Sequence, residues 1–115
     1  MQVMIRSRLR PEHAQECLSS LRAVYDELAA LDPGGLRWAA FQLDDGVSMV
    51  SFVEFAGLPG QAPHHRLASF QRHRAALDRW CEEPPVVQVL HQVGAYGFPE
   101  PIGRQAVSQA EEGTP

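Results

Sequence analysis

The chain has 115 residues, which is enough for one domain with a single core. It carries fourteen acidic and ten basic residues, a formal net charge of −4, and none of the ten is lysine. An acidic chain with scattered arginines argues against nonspecific binding to nucleic acid or to an anionic membrane surface. The composition, 44% hydrophobic and 21% charged, is typical of a soluble globular protein.

The first third of the chain predicts a strand and a helix. Residues 2–9 alternate in polarity, which is typical of a strand, and the alternation places Ser7 on its more apolar side. Pro11 suits the first turn of a helix, and apolar residues then recur at helical spacing as far as Leu31. The "DPGG" at 32–35 ends this helix.

The rest of the chain predicts a hairpin, a second helix and a last strand. Their expected bounds are 36–43 and 47–55 for the hairpin, about 66–82 for the helix and 86–93 for the strand. Asp45-Gly46 is a strong hairpin turn signal, and "EEPP" at 82–85 ends the helix. We expect one domain over residues 1–98 and an irregular polar tail over residues 99–115.

Strand–helix–strand occurs twice, which predicts an α+β fold of the ferredoxin-like βαββαβ kind. Right-handed crossovers would place both helices on one face of a four-stranded antiparallel sheet. Several strands are apolar on both faces, as with Met49 and Val53 against Val50 and Phe52. Two helices cover only one face, so the other face predicts a homodimer.

The basic residues of the first strand fit this interface poorly. Arg6 and Arg8 alternate onto the face that a second copy would cover, so we expect them near an edge or paired with acids such as Glu54.

The sequence also suggests a compartment. No apolar run reaches the roughly 18 residues that cross a bilayer, and the chain starts on a strand pattern rather than a signal peptide, so we expect a cytoplasmic protein without membrane contacts. Cys17 and Cys81 fall on apolar helix stripes and are expected to be buried thiols.

Element order, size and the two-sided sheet resemble the dimeric α/β-barrel superfamily, and within it the antibiotic-biosynthesis-monooxygenase type of domain. The resemblance covers about residues 2–98 and is carried by "VMIRSRLRPEHAQE", "GLRWAAFQLDDGVSMVSFVEF" and "LASFQRHRAALDRWCEEPPVVQVLHQVGAYGF". It implies a small hydrophobic ligand between the helices and the sheet. Some members oxidise polyketide anthrones to quinones with molecular oxygen and without metal or flavin, whereas others degrade haem or cyclise polyketides.

Haem degradation is not expected here. The haem-degrading members carry asparagine where this chain has Ser7, tryptophan where it has Phe55, and histidine where it has Arg74. We therefore expect no cofactor.

The stretch "HHRLASFQRHRAALDRW" (64–80) raises the question of a metal site. His65 and His73 are eight residues apart, or about 12 Å along a helix, so they cannot share one ion unless the helix begins after His65 and the loop folds back. We expect no metal.

His73 is instead a candidate general base. Phe70, His73, Leu77 and Trp80 follow at intervals of three, four and three, which places His73 on the apolar stripe that faces the sheet. A partly buried imidazole could take a proton from an anthrone carbon. The alternative is a structural histidine that hydrogen-bonds a backbone carbonyl.

The other candidate ligand contacts are Ser7, Tyr25, Trp38, Phe70 and Trp80. The two tryptophans could form aromatic walls or simply belong to the core, and Tyr25 could hydrogen-bond a ligand carbonyl.

We expect three further histidines and an arginine outside the site. His64 and His65 would form an exposed lid, His91 would lie on the dimer face, and Arg37 would bind a carboxylate or remain solvated.

Two functions remain open. One is a cofactor-independent oxygenase or a related polyketide-modifying enzyme. The other is a non-catalytic dimer that binds a small molecule or a protein, with residues 99–115 as a contact arm.

Overall fold

The protein, described by a computed structural model over residues 1–102, contains the predicted two helices and four strands. They are β1 (Gln2–Arg8), α1 (Ala14–Leu31), β2 (Leu36–Gln42), β3 (Ser48–Phe55), α2 (Ala68–Trp80) and β4 (Val86–Leu90). Residues 99–102 form no helix or strand, and the rest of the predicted tail lies outside the described residues. Within residues 1–102, neither helix is both long and apolar enough to cross a membrane.

Several boundaries differ from the expectation by one to three residues, and two of these differences follow from chain geometry. The segment Pro63–Arg66 forms a separate 3-10 turn, so α2 begins at Ala68 rather than near residue 66. The last strand ends at Leu90, three residues early, since pairing with β1 stops where β1 begins at Gln2.

The strands form one antiparallel sheet in the order β2-β3-β1-β4, and this confirms the ferredoxin-like topology. In the register of β1 with β3, Ser7 lies opposite Met49 and Ile5 lies opposite Ser51. These side chains form the row that faces the helices, as the alternation in residues 2–9 predicts.

The core lies between this row and the two helices. Its main cluster is Leu9, Ala14, Cys17, Leu21, Met49, Ala76, Trp80 and Cys81. Both cysteines are buried and unpaired, which confirms the expectation of buried thiols. Burial raises the pKa of the Cys17 thiol to about 11, so it is not a thiolate nucleophile at neutral pH.

Polar side chains tie α1 to α2 at three levels. The Trp80 Nε1–H donates to Glu16 at 3.3 Å, His73 Nδ1 lies 2.9 Å from the Ser20 hydroxyl, and the Ser69 hydroxyl donates to Glu27 at 2.6 Å. Glu27 also accepts the Ser69 backbone N–H at 3.2 Å. This carboxylate caps the start of α2, where Leu67 has no capping side chain.

The face of the sheet opposite the helices, here called the open face, is apolar. Phe41, Phe52 and Val86 lie on it with 53%, 44% and 47% of their surface exposed. The phenyl rings of Phe41 and Phe52 meet edge to face with centroids 6.1 Å apart. Two apolar faces on one sheet agree with the sequence pattern.

The open face also carries Arg6, and its placement corrects an expectation. Because β1 lies between β3 and β4, Arg6 is not near an edge, and its neighbours in register are Val50 and Val86. Arg8 pairs with Glu82 at 3.3 Å rather than with Glu54, whose cationic partner is Arg37.

Leu9 tests the packing of this core. Its side chain has no exposed surface, so Leu9→Ala should lower the free energy of unfolding by about 3 kcal/mol through lost burial and a cavity. Leu58, which is 65% exposed, supplies the control, since Leu58→Ala should change the free energy of unfolding by less than about 0.5 kcal/mol. Urea unfolding followed by circular dichroism measures both, and equal effects would contradict the assigned core.

Candidate functional site

A cavity of about 250 Å³, here called the helix–sheet cavity, lies between the two helices and the sheet. Its walls include Ile5, Ser7, Trp38, Met49, Phe70 and His73. Four of the residues named from the sequence, Ser7, Trp38, Phe70 and His73, therefore meet at one cavity. Its size lies near the lower end for small-molecule sites, and its walls are mainly apolar with a few polar groups.

His73 is the ionisable imidazole of this cavity. The side chain is 6% exposed, and Nδ1 lies 2.9 Å from the Ser20 hydroxyl on α1. The partner is thus a side-chain hydroxyl rather than a backbone carbonyl. Burial lowers the pKa of His73, so the ring is neutral at pH 7 and one of its two nitrogens carries a lone pair.

Trp38 forms the aromatic wall at the β2 side of the cavity. Its ring meets the Phe70 ring of α2 edge to face, with centroids 5.9 Å apart. Trp38 lies opposite Val53 in the register of β2 with β3, which points its side chain toward the helices. The two rings touch each other, so together they form one aromatic wall against which a flat molecule could stack.

Tyr25 and Trp80 do not line the helix–sheet cavity. Tyr25 and Trp38 together line a second cavity of about 260 Å³ beside the turn that follows α1. Trp80 is buried in the main core cluster, with its indole N–H on Glu16. Its position does not support a ligand contact, because the stripe of α2 runs past the end of the cavity into the core.

His64 is buried, so the prediction that it belongs to an exposed lid is wrong. Only 6% of its surface is exposed, and its ring packs 5.2 Å from that of Trp38 and 4.7 Å from that of Phe70. Burial lowers the pKa of His64 to about 4. His65 beside it is exposed, as expected.

Long-range packing explains the path of this segment. Ala62 is 1% exposed and packs with Val3, Val53 and Phe55, which draws the following turn, Pro63–Arg66, against the sheet. The sequence signal that could have revealed it is the pair Ala62-Pro63, an apolar residue followed by a proline that begins a 3-10 turn.

A third, larger cavity lies on the open face. Its volume is about 460 Å³, and residues 92–99 form part of its wall. Its charged groups are already paired: Arg37 donates to Glu54 at 2.9 Å and to the Glu100 carbonyl at 2.6 Å. The Gln2 amide also donates to Glu54, at 2.7 Å, so this cavity offers no free general base from that pair.

The placement of His91 also differs from the expectation. It is exposed and lies beyond the end of β4, so it is not part of the predicted strand. It lines a small cavity together with Gln2 and Glu54 of the open face, and its place at a dimer interface stays a prediction.

Within residues 1–102, no group of three His, Cys, Asp or Glu side chains is placed to hold a metal ion.

The architecture is similar to several solved structures. An antibiotic biosynthesis monooxygenase matches with a TM-score of 0.67 at 16% identity, over 81% of this chain and 98% of that chain. A Nitrosomonas europaea protein, provisionally named an antibiotic biosynthesis monooxygenase, matches with a TM-score of 0.67 at 18% identity. The match covers 82% of this chain and 100% of that chain. Rv0793 from Mycobacterium tuberculosis matches with a TM-score of 0.58 at 23% identity, over 82% and 95%.

The chain has the fold of the antibiotic-biosynthesis-monooxygenase-like proteins. This confirms, at the level of fold, the resemblance that the sequence carries. No protein-family model and no curated protein matches the sequence. At such low identity the likeness establishes the fold, and function has to be argued from the site.

The buried His64 predicts a pH dependence of stability. Its folded pKa of about 4 lies below the ordinary 6.5, so the unfolded chain binds a proton more readily between these values. The contribution of His64 to the free energy of unfolding is complete above pH 6.5. It falls by roughly 2 to 3 kcal/mol as the pH falls toward 4.

Urea unfolding at a series of pH values measures this loss. His64→Phe should remove a large part of this loss and leave the part that the lowered pKa values of His73, His65, Glu16 and Glu27 contribute. His91→Gln, at an exposed position, should retain the whole dependence. An unchanged slope in His64→Phe would contradict the burial of a neutral His64.

Proposed function

We propose that the protein binds a small planar aromatic molecule in the helix–sheet cavity and oxidises it with molecular oxygen, with His73 as the general base. The observation that carries this proposal is the buried imidazole of His73 at the wall of a mainly apolar cavity that Trp38 and Phe70 also line. The similar solved structures named for monooxygenases support the same class of reaction.

The hydrogen bond to Ser20 supports the role of His73. When Nδ1–H donates to the Ser20 hydroxyl, the lone pair of Nε2 is free to accept a proton. This bond also holds the ring in place from the neighbouring helix. A positioned base of this kind contributes about 10²- to 10⁴-fold to a proton transfer.

The proposed reaction balances with oxygen as the sole co-reactant. His73 removes a proton from the methylene carbon between two aromatic rings of an anthrone, and the electron pair stays on that carbon. The carbanion gives its electrons to O₂, a C–O bond forms, and the peroxide takes the proton back from His73. Loss of water, with the second hydrogen of that carbon, breaks the O–O bond and leaves the quinone carbonyl.

An anthrone assay tests this activity. Chelator-treated protein free of flavin absorbance should convert dithranol to its quinone in air faster than buffer does, with one O₂ consumed per quinone. His73→Ala should lower the catalysed rate by about 100-fold or more, because the proton acceptor is lost. Quinone absorbance and an oxygen electrode measure the two quantities.

Two variants frame the result. His65→Ala, at an exposed position in the preceding turn, should leave the rate unchanged. Ser20→Ala should lower it by less than His73→Ala, since it loosens the base without removing it. A His73→Ala variant that retains the full rate would eliminate this mechanism.

The alternative is a ligand-binding module without catalysis. The contact between His73 and Ser20 favours it, since it is one of the three polar ties between the helices and would be sufficient reason for a histidine there. A folded protein that binds anthrones and does not oxidise them would support this function.

We also propose that the protein is a homodimer formed through the open face. A contiguous apolar patch of this kind rarely stays exposed in a monomer, and a second copy presents the same patch by symmetry. Covering Phe41 and Phe52 would remove their apolar surface from water at about 25 cal/mol per Å².

Phe52→Arg tests the dimer. Placing a charge at the centre of the patch should convert the protein to a monomer, because the guanidinium would be buried without a partner. Light scattering coupled to gel filtration should give twice the 12.7 kDa chain mass for the wild type and the chain mass for Phe52→Arg. Leu58→Arg, at an exposed position outside the strands of the sheet, should remain dimeric, and a monomeric wild type would contradict the proposal.

A further inference from the structure

Three buried polar atoms without hydrogen-bond partners lie on Trp38 and on two side chains whose rings contact it. They are the Tyr25 hydroxyl oxygen, Trp38 Nε1 and His64 Nδ1, and none has a partner within residues 1–102. The Trp38 ring centroid is 5.2 Å from that of Tyr25 and 5.2 Å from that of His64. Folded proteins leave few buried polar groups unpaired, so three on adjacent rings indicate a binding role.

All three groups can act as neutral donors. The indole N–H of Trp38 only donates. Burial raises the pKa of Tyr25 to about 12, so its hydroxyl keeps its proton at pH 7. Burial lowers the pKa of His64 to about 4, so its ring is neutral and either nitrogen can carry the proton.

We propose that Tyr25, Trp38 and His64 form a carbonyl-binding subsite, in which the neutral conjugated carbonyl of a planar ligand accepts hydrogen bonds from these donors. The inference rests on the proposed function in taking that ligand to be the planar molecule of the helix–sheet cavity. A carbonyl oxygen has two lone pairs, so it accepts two of the donors, and the third can bond a neighbouring oxygen on the same ring system.

The charges around the subsite favour a carbonyl over a carboxylate. A buried carboxylate needs a cation close by. Arg37 is next to Trp38 in the chain, but it lies on the opposite face of the sheet and is paired with Glu54 at 2.9 Å. Arg74 lines the helix–sheet cavity together with Asp78, whose opposite charge offsets it. The three donors are uncharged at pH 7, which suits an uncharged acceptor.

The position of Trp38 connects the subsite to the base. Its ring lines the helix–sheet cavity together with Phe70 and His73, and it also lines the adjoining cavity together with Tyr25. A flat ligand beside His73 therefore reaches Trp38. His64 contacts the rings of Trp38 and Phe70, and its Nδ1 has no hydrogen-bond partner within residues 1–102, so it is left for an acceptor on the ligand.

A matched pair of probes tests the carbonyl preference. Fluorenone and fluorene share one planar ring system and differ by a carbonyl in place of a methylene. Fluorenone should bind about tenfold more tightly, the effect of one to two net hydrogen bonds. In Trp38→Phe and in Tyr25→Phe this preference should fall to about threefold or less, because each removes a donor and keeps a ring.

Indole N–H resonances in a ¹⁵N–¹H spectrum report the contact directly. Fluorenone should move the Trp38 signal downfield, and fluorene should not. Trp80 provides an internal reference, since its N–H already donates to Glu16 at 3.3 Å, and its unchanged signal also shows that Trp38→Phe is folded.

The outcomes separate this inference from the proposed oxidation. Equal affinity for the two probes, binding of neither, or a preference that survives in both variants would overturn the subsite. A preference carried by Trp38 and Tyr25 in a protein that does not oxidise dithranol would support the subsite and eliminate the oxygenase. Oxidation of dithranol without any carbonyl preference would support the oxygenase and eliminate the subsite.

Discussion

The polar contacts between α1 and α2 are the constraint on which the candidate site depends. Glu16 with Trp80, Ser20 with His73, and Glu27 with Ser69 hold the helices at three levels along their length. Apolar side chains alone pack wherever volume allows, whereas a hydrogen bond fixes both distance and direction. The helices therefore keep their spacing over the sheet, and the space between them remains a cavity with His73 on its wall.

Trp38 has a comparable role on the side of the sheet. It lines both the helix–sheet cavity and the second cavity beside the turn after α1. The rings of Tyr25, His64 and Phe70 all contact it. An interior packed only for stability would pair its polar atoms or replace them with carbon, because each unpaired one costs about 1 to 3 kcal/mol. This region does neither, which is the pattern expected where binding rather than stability selects the residues.

The sequence predicted those parts of the fold that depend on local periodicity. Period-two alternation located the strands, and the three-four-three spacing placed His73 on the stripe that faces the sheet. The same spacing could not separate His73 from Trp80, since both share the stripe and only the length of the cavity decides which of them lines it. The site residues it named remain predictions, although four of them meet at one cavity.

What the sequence missed depends on contacts between distant parts of the chain. The burial of His64 follows from Ala62 packing with Val3 and Val53, residues that are far away in the chain. The loss of His91 from β4 follows from where its partner strand begins. These partners are distant in the chain, so a local pattern such as Ala62-Pro63 can mark the turn but does not identify what the turn packs against.

Arg6 limits how two copies could meet. It lies in the interior of the open face, with Val50 and Val86 as its neighbours in register. Glu54, the buried acid of that face, is already paired with Arg37. Burying Arg6 without an anion would cost several kcal/mol, enough to offset much of the gain from covering the phenylalanines. A stable interface must therefore close over Phe41 and Phe52 while the long side chain of Arg6 extends to water or to a carbonyl of the other copy. That requirement favours contact along the β2–β3 side of the sheet, and it leaves the middle of the face wet.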